Sequence, residues 1–248
     1  MTEWKLKRFW TEASVSETDG GYAVLLDGRG VKTPAKTSLV VPTVELARAI
    51  AAEWDAQEGT IDPTTMPFTR SANAAIDKVT HQFDEVVNLL AEYGETDLLC
   101  YRADAPVELT QRQAKAWDPL LGWAKDTFGA DLSPATGVMF VEQPAQSLNH
   151  LKTALLNQSA FQLTATYDLI SISGSLILGL AVCKGKISAQ DAWDFSQIDE
   201  MWQIEQWGED EEATEVAEIK ANSMRHACLL YTSPSPRDLS TSRMPSSA

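Results

Sequence analysis

The stretch DGGYAVLLDGRGVKTP, residues 19–34, decides the fold class at the start of this 248-residue chain. Apolar and polar residues alternate loosely along it, and its two Asp-Gly pairs are typical of tight turns between antiparallel strands. Together with residues 14–18 and 39–41, it predicts a short antiparallel meander. Because so small a sheet is only marginally stable in water, the meander requires a covering element.

The segment that follows the meander supplies this cover. Thr43 is a favourable N-cap, and Leu46, Ile50 and Trp54 recur at every fourth position. This spacing places the three apolar side chains on one face of a helix. The sequence therefore predicts a β-rich α+β domain over residues 1–65.

From residue 66 to residue 227, apolar residues recur with helical spacing. Residues 163–182 are apolar on nearly all sides, which predicts one central buried helix. The clearest one-sided stripe consists of Trp117, Leu121, Ala124 and Phe128. The predicted fold class is therefore α+β, with a small N-terminal antiparallel β/α domain followed by an all-α helical-bundle domain.

The composition is acidic, with 35 Asp and Glu against 20 Lys and Arg and a formal net charge of −15. Eleven of the acids lie between Lys186 and Lys220, where no basic residue occurs. Such a surface repels phosphate groups, which argues against a nucleic acid partner and favours a partner with a basic face. A solvated acidic face that only keeps the protein in solution is the alternative interpretation.

Cysteine usage and hydropathy indicate a soluble, intracellular protein. The three cysteines form no paired motif, which suits a reducing compartment. The chain does not begin with the apolar stretch of a signal peptide. The longest apolar run, residues 169–183, is shorter than the roughly 20 residues that a membrane span requires. We expect no membrane insertion and no targeting segment.

The character of the chain changes at Cys228. Residues 228–248, CLLYTSPSPRDLSTSRMPSSA, are rich in serine and proline and show no periodicity. The string looks like a translated sequencing adapter. We therefore expect a non-native or disordered tail and a natural chain cut near residue 227.

Motifs for catalysis or for cofactor binding are not found. The three histidines fit no metal-binding spacing, and DGRG at 27–30 is better explained as a turn than as a dinucleotide-binding motif. Ser173-Gly174-Ser175 lacks the flanking glycines of a nucleophile elbow. We expect no catalytic residue, no metal and no cofactor, and a small-molecule enzyme with a cleft in the helical domain stays as an alternative.

Residues 188–208, taken as one helix, carry two apolar groups on nearly opposite sides. One group consists of Trp193, Ile204 and Trp207, and the other of Phe195, Ile198 and Trp202. A surface helix of a monomer needs only one apolar stripe. The second stripe is therefore either buried in the bundle or left for a partner, and the sequence leaves both possibilities open.

Several strings in this order resemble the ATP synthase assembly chaperone family that binds the α subunit of the catalytic sector. The resemblance runs from about residue 4 to residue 225. The strings are LDGRGVKTPAK (26–36), LARAIAAEWDAQ (46–57), IDPTTMPFTRSANAAID (61–77), YGETDLLCYRA (93–103), WDPLLGWA (117–124), SGSLILGLA (173–181) and SQIDEMWQIEQWGEDEEA (196–213).

The resemblance implies a bacterial, cytoplasmic chaperone without catalytic residues, monomeric when free. It would bind the unassembled α subunit of F-type ATP synthase, shield its β-facing surface and deliver it for assembly. It also implies a last helix after the WGED segment, which we expect the serine-rich tail to replace. An adaptor for another basic protein is a further alternative.

The resemblance also points to individual residues. Trp54 and Asp55 belong to the E-W-D string, which we interpret as structural, and a contact role for Arg29 and Lys32 is a weaker expectation. The residues predicted to contact the partner or to shape the contact surface are Asp199, Glu200, Gln203, Trp207, Gly208 and Glu209.

Overall fold

A computed structural model describes residues 7–137 and 139–232, which form two compact units. The first unit contains the described residues up to 81 together with 159–164 and 229–232. The second contains residues 82–158 and 165–228. An antiparallel sheet precedes a long series of helices, so the predicted α+β class is confirmed.

The sheet of the first unit is organised around its second strand. The strands are β1 (Ala13–Thr18), β2 (Gly21–Leu26), β3 (Arg29–Gly30) and β4 (Val40–Val41), and β2 pairs antiparallel with each of the others. The two Asp-Gly pairs form the turns. At the second turn, Asp27 and Gly28 have φ of 47° and 77°, a backbone twist that matches the twist of paired strands.

Helix α1 (Val44–Asp55) covers this sheet, as the sequence predicts. The Thr43 hydroxyl caps its first turn by accepting a hydrogen bond from the Leu46 N–H. Leu46 and Ile50 are fully buried, and the Trp54 ring packs edge-on against Trp10 with 5.1 Å between the ring centroids. Burial of these side chains removes apolar surface from water and stabilises the small unit.

The first unit extends beyond the predicted boundary at residue 65. It includes α2 (Pro67–Ala74), where the Glu53 carboxylate accepts hydrogen bonds from the backbone N–H and the hydroxyl of Thr69, at 2.8 and 2.7 Å. The Asp77 carboxylate accepts a 2.7 Å hydrogen bond from the Thr33 hydroxyl in the loop between β3 and β4. These contacts join α2 to the sheet unit, which continues to residue 81.

Among the described residues from 83 onward, helices dominate, together with one short parallel pair of strands. They are α3 (Phe83–Glu92), α4 (Val107–Phe128), α5 (Ala145–Leu156), α6 (Ala160–Ser173), α7 (Leu176–Cys183), α8 (Ala189–Ser196), α9 (Ile198–Trp207) and α10 (Glu211–Thr232), and the strands are β5 (Tyr101–Arg102) and β6 (Ala135–Thr136). The predicted apolar face of α4 is buried at Trp117, Leu121 and Ala124.

The prediction of one helix over residues 163–182 is wrong. Gly174, with φ of +70°, ends α6 in a left-handed conformation, and Ser175 caps α7. The buried carboxylate of Asp97 accepts hydrogen bonds from the Ser175 hydroxyl at 2.7 Å and from the Ile177 N–H at 3.0 Å. The break therefore provides donors for a buried acid that is distant in sequence.

The single helix predicted over residues 188–208 is also interrupted. Gln197, with φ of −103° and ψ of 14°, separates α8 from α9, and its N–H bonds to the Trp193 and Asp194 carbonyl oxygens at the end of α8. The two apolar groups nevertheless remain separated: Ile198 is buried and Trp207 is exposed.

The last helix is present, contrary to the expectation that the serine-rich tail replaces it. Helix α10 follows the WGED segment and continues to Thr232. Met224, Ala227 and Leu230 recur with helical spacing and are buried, which explains why the helix extends this far. Residues 228–232 of the expected tail thus belong to α10, and residues 233–248 lie outside the described residues.

Candidate functional site

An open groove of about 680 Å³ lies in the second unit between α8 and α9 on one side and α10 on the other. Its apolar lining comes from Trp193, Ile204 and Trp207 on the first wall and from Ala213, Ala217 and Ala221 on the second. The three alanines are spaced by four, so they form one stripe along α10. The groove thus combines large aromatic side chains on one wall with small side chains on the other.

Five acids and no basic residue line this groove. The acids are Asp194, Glu200, Glu209, Asp210 and Glu218. Asp210 caps the N-terminus of α10, and Asp194 accepts a hydrogen bond from the Gln190 side chain. Within the described ranges, the carboxylates of Glu200, Glu209 and Glu218 have no hydrogen bond or ion pair. Unpaired acids around an apolar surface favour the approach of a basic partner.

Helix α4 fixes the position of α8 and α9. The Trp117 indole N–H donates a 2.9 Å hydrogen bond to the Phe195 carbonyl oxygen near the end of α8. One turn earlier on the same face, the Gln113 amide donates a 2.6 Å hydrogen bond to the Asp199 carboxylate at the start of α9. Trp117 and Gln113 are buried, so this wall of the groove is anchored on α4 by buried side chains.

A third residue of α4 contacts the middle of α9. The Arg112 guanidinium donates two hydrogen bonds to the Glu205 carboxylate, at 2.7 and 2.9 Å, and lies 5.0 Å from the centre of the Trp202 ring. The hydrogen bonds from Arg112 lower the pKa of Glu205. Trp202 is therefore held against the bundle, whereas the opposite face of α9 is turned to the groove.

Trp207 is the most exposed tryptophan that the site presents. The side chain is 79% exposed, although it is the largest apolar group at the end of α9. Trp207 and Gln203 line both the acidic groove and a neighbouring depression of about 440 Å³ bordered by residues 101–106. Exposed tryptophans of this kind are enriched at the centres of protein interfaces.

The structure brings the six predicted site residues onto one surface. Five of them line the groove: Glu200, Gln203, Trp207, Gly208 and Glu209. Asp199 instead lines the neighbouring depression, and its carboxylate is held by Gln113. Asp199 therefore shapes the surface through a contact inside the unit.

The weaker candidates lie in the first unit. Arg29 and Lys32 are exposed, near the turn between β2 and β3 and just after β3. In the E-W-D string, Trp54 packs on Trp10, and the Asp55 carboxylate accepts a 3.0 Å hydrogen bond from the Ala13 N–H. Both contacts are internal, which agrees with the structural interpretation of this string.

Sequence reasoning missed the second wall of the groove. The signal was present, because Ala213, Ala217 and Ala221 recur at the spacing that places them on one helical face. Because alanine is small and only weakly hydrophobic, this stripe stands out from its polar neighbours much less than a stripe of large apolar residues does. The sequence does not show that this face lies opposite Trp193 and Ile204.

Gly208 sets the direction of the chain between α9 and α10. Its φ of +92° and ψ of 170° fall in a region that is accessible essentially only to glycine.

We expect Gly208→Ala to lower the free energy of unfolding by about 1–3 kcal/mol, measured by urea denaturation. Gly122→Ala is the control, since Gly122 lies within α4 with open space around it. That substitution should be neutral or stabilise by about 1 kcal/mol. Equal effects would contradict the prediction.

Asp97 is a buried acid whose pKa is shifted by its surroundings. It is fully buried, and burial raises its pKa from 3.8 to about 6, against the effect of hydrogen bonds from Ile177, Leu99 and Ser175. These donors surround the carboxylate on several sides. Asp97 therefore has a structural role, because its hydrogen bonds join its own segment to the start of α7. The described residues contain no group of three or more His, Cys, Asp or Glu able to hold a metal ion.

In the part of the chain that the structure describes, no helix has both the length and the apolar character needed to cross a membrane.

Comparison with known proteins gives consistent matches. Residues 7–125 match the family described as ATP12 chaperone protein. The mitochondrial protein atp12 of Schizosaccharomyces pombe is 27% identical over 222 residues, which cover 85% of this chain and 76% of that protein. The crystal structure of Atp12 from Paracoccus denitrificans is 48% identical, with a TM-score of 0.88 over 92% of this chain and 98% of that one. A point mutant of that protein matches equally well, at 47% identity and a TM-score of 0.88, and covers 93% and 98% of the two chains.

Proposed function

Because this chain belongs to the ATP12 chaperone family, whose members assist the assembly of ATP synthase, we propose that it binds the unassembled α subunit of F-type ATP synthase. It covers the surface of α that later faces the β subunit and delivers α for assembly. It acts in the bacterial cytoplasm, as a monomer when free. It works by binding alone, without a catalytic residue or a cofactor.

The observation that carries this proposal is the acidic groove with Trp207 at its edge. An apolar lining and an exposed tryptophan are what the capture of a hydrophobic surface requires. The unpaired carboxylates match a client whose exposed apolar surface is surrounded by basic residues. The resemblance of the sequence to the α-binding chaperones supports the choice of the α subunit as that client.

In this proposal, different residues of the groove control the association and the dissociation of the client. Rim acids such as Glu200 and Glu209 increase the rate of encounter with a basic client, and this effect is screened by salt. Trp207 and Ile204 bury apolar area on contact and so slow dissociation. Because β must displace the chaperone, moderate affinity serves the function better than permanent binding.

Co-expression tests the proposal. We expect α produced without β to be soluble and to co-purify with this protein. We expect α to aggregate when it is produced alone. Since the attraction is partly electrostatic, the recovered amount of α should fall as the salt concentration of the wash rises.

The matched control is the β subunit, produced with this protein and without α. Recovery of α but not β supports the proposal. Insoluble α that never co-purifies would contradict binding. Equal recovery of α and β would contradict the assignment of α as the specific client.

A further inference from the structure

The first half of α10 buries none of its own side chains. No residue from Glu211 to Ser223 is buried, and burial on this helix begins at Met224. Yet the alanine stripe of this half-helix faces Trp193 and Ile204 across the groove. A helix gains most of its stability in a protein from packing one face, yet Ala217 and Ala221 on the lining face of this segment are only half-buried and Ala213 is exposed. Its alanine stripe therefore has apolar surface that a partner can cover.

The secondary structure of the walls restricts the shape of an occupant. The lining residues belong to α8, α9 and α10, apart from Gln197 and the short connection Gly208–Asp210. Helical backbone groups already pair within their own helices, so these walls offer an extended segment almost no hydrogen-bond partners. A helical occupant satisfies its own backbone. The small alanine side chains also let a helix approach closely, and the stripe from Ala213 to Ala221 is ~12 Å long, about two helical turns.

The charges in the groove restrict the sequence of an occupant. Glu200 lies on α9, Glu218 on α10 and Glu209 in the connection between them, so carboxylates stand on both sides of the apolar lining. A helix that fits must carry one apolar face flanked on both sides by Lys or Arg. An acidic helix would meet like charges along both edges.

We infer that the groove binds a short basic amphipathic helix of the α subunit, which packs its apolar face between the alanine stripe and the Trp193–Trp207 wall. This inference rests on the proposed function and specifies which kind of client segment occupies the site. The binding mode is that of an amphipathic helix in a groove, with apolar anchors about one turn apart.

Filling the groove tests the position of the client. Ala217→Trp places a large side chain on the alanine stripe, while Val216→Trp places the same side chain on a part of α10 that does not line the groove. Neither position is buried, so circular dichroism should show both variants folded. We expect Ala217→Trp to lower the recovery of co-expressed α by about 10-fold and Val216→Trp by less than about 2-fold.

Neutralising the acids tests the chemistry of the client. The groove variant changes Glu200, Glu209 and Glu218 to Gln, and the control changes Glu211, Glu212 and Glu215, which do not line the groove. Both variants lose three negative charges. We expect about 10-fold weaker capture and a flatter salt dependence for the groove variant alone. Equal effects of the two triple variants would show that only net charge matters and would overturn the inference.

A photo-crosslinking amino acid at Ala213 identifies the segment. We expect the cross-linked peptide of α to be helical in assembled α and to carry at least two Lys or Arg beside an apolar face. An acidic or extended peptide, or normal capture by Ala217→Trp, would overturn the inference and leave the proposed function intact. If wild-type protein captures no α, the proposed function fails as well.

Discussion

Trp207→Ala is expected to weaken the capture of α by about 30-fold or more, the loss typical of a central interface anchor. The reason is the position of this side chain, which is 79% exposed and borders both the groove and the neighbouring depression. The apolar surface of the exposed indole is removed from water only when a client covers it, so its burial stabilises the complex and not the free protein. The affinity for α can be compared by quantitative co-purification over a dilution series.

The same substitution should leave the fold unchanged. Since Trp207 contributes little buried area to the free protein, the free energy of unfolding should change by less than about 0.5 kcal/mol. The matched control is Ile219→Ala, which removes an exposed apolar side chain of α10 that does not line the groove. Normal capture by Trp207→Ala, or an equal loss with Ile219→Ala, would count against a contact centred on Trp207.

Asp97→Ala is expected to have the largest effect on stability, lowering the free energy of unfolding by about 3 kcal/mol or more. The side chain is fully buried and accepts hydrogen bonds from the Leu99 N–H, the Ser175 hydroxyl and the Ile177 N–H, at 3.0, 2.7 and 3.0 Å. Alanine leaves these buried donors without a partner. Urea denaturation measures the loss, and Asp126→Ala, at an exposed acid of α4, should change stability by less than about 0.5 kcal/mol.

The pH dependence separates the charge of Asp97 from its hydrogen bonds. Burial raises its pKa from 3.8 to about 6, so the folded protein binds this proton more tightly than the unfolded chain does. The resulting stabilisation is complete below pH 3.8 and is lost as the pH rises through about 6. Relative to Asp97→Asn, the wild-type free energy of unfolding should fall by about 2 kcal/mol between about pH 4 and pH 7. A constant difference would contradict the raised pKa.

Local patterns predict the first unit well because its elements are specified by neighbouring residues. The Asp-Gly turns, the Thr43 cap and the spacing of Leu46 and Ile50 each act within a few positions. The break at Gly174 is different. The residues around it are apolar on all helical faces, so their hydrophobic periodicity does not mark a helix boundary. The break instead provides hydrogen-bond donors to the carboxylate of Asp97, which lies 78 positions before Ser175. Such a contact cannot be predicted from periodicity.

The candidate site shows the same division between local and distant information. Opposite faces of α9 separate Trp202 from Trp207, as helical geometry predicts even with the break at Gln197. The groove itself depends on the turn at Gly208, which brings α10 back beside α8 and α9. A hydrophobic pattern within one segment contains no information about the direction of the next helix.

The absence of buried side chains from Glu211 to Ser223 has a consequence for how this protein can change. Because this half of α10 contributes no fully buried side chain to the second unit, substitutions on it are less constrained than substitutions in the core. Under the proposed function, this wall could change to fit a client with a different helix while the rest of the unit keeps its sequence. Folding and client choice would then be encoded in separate stretches of one chain.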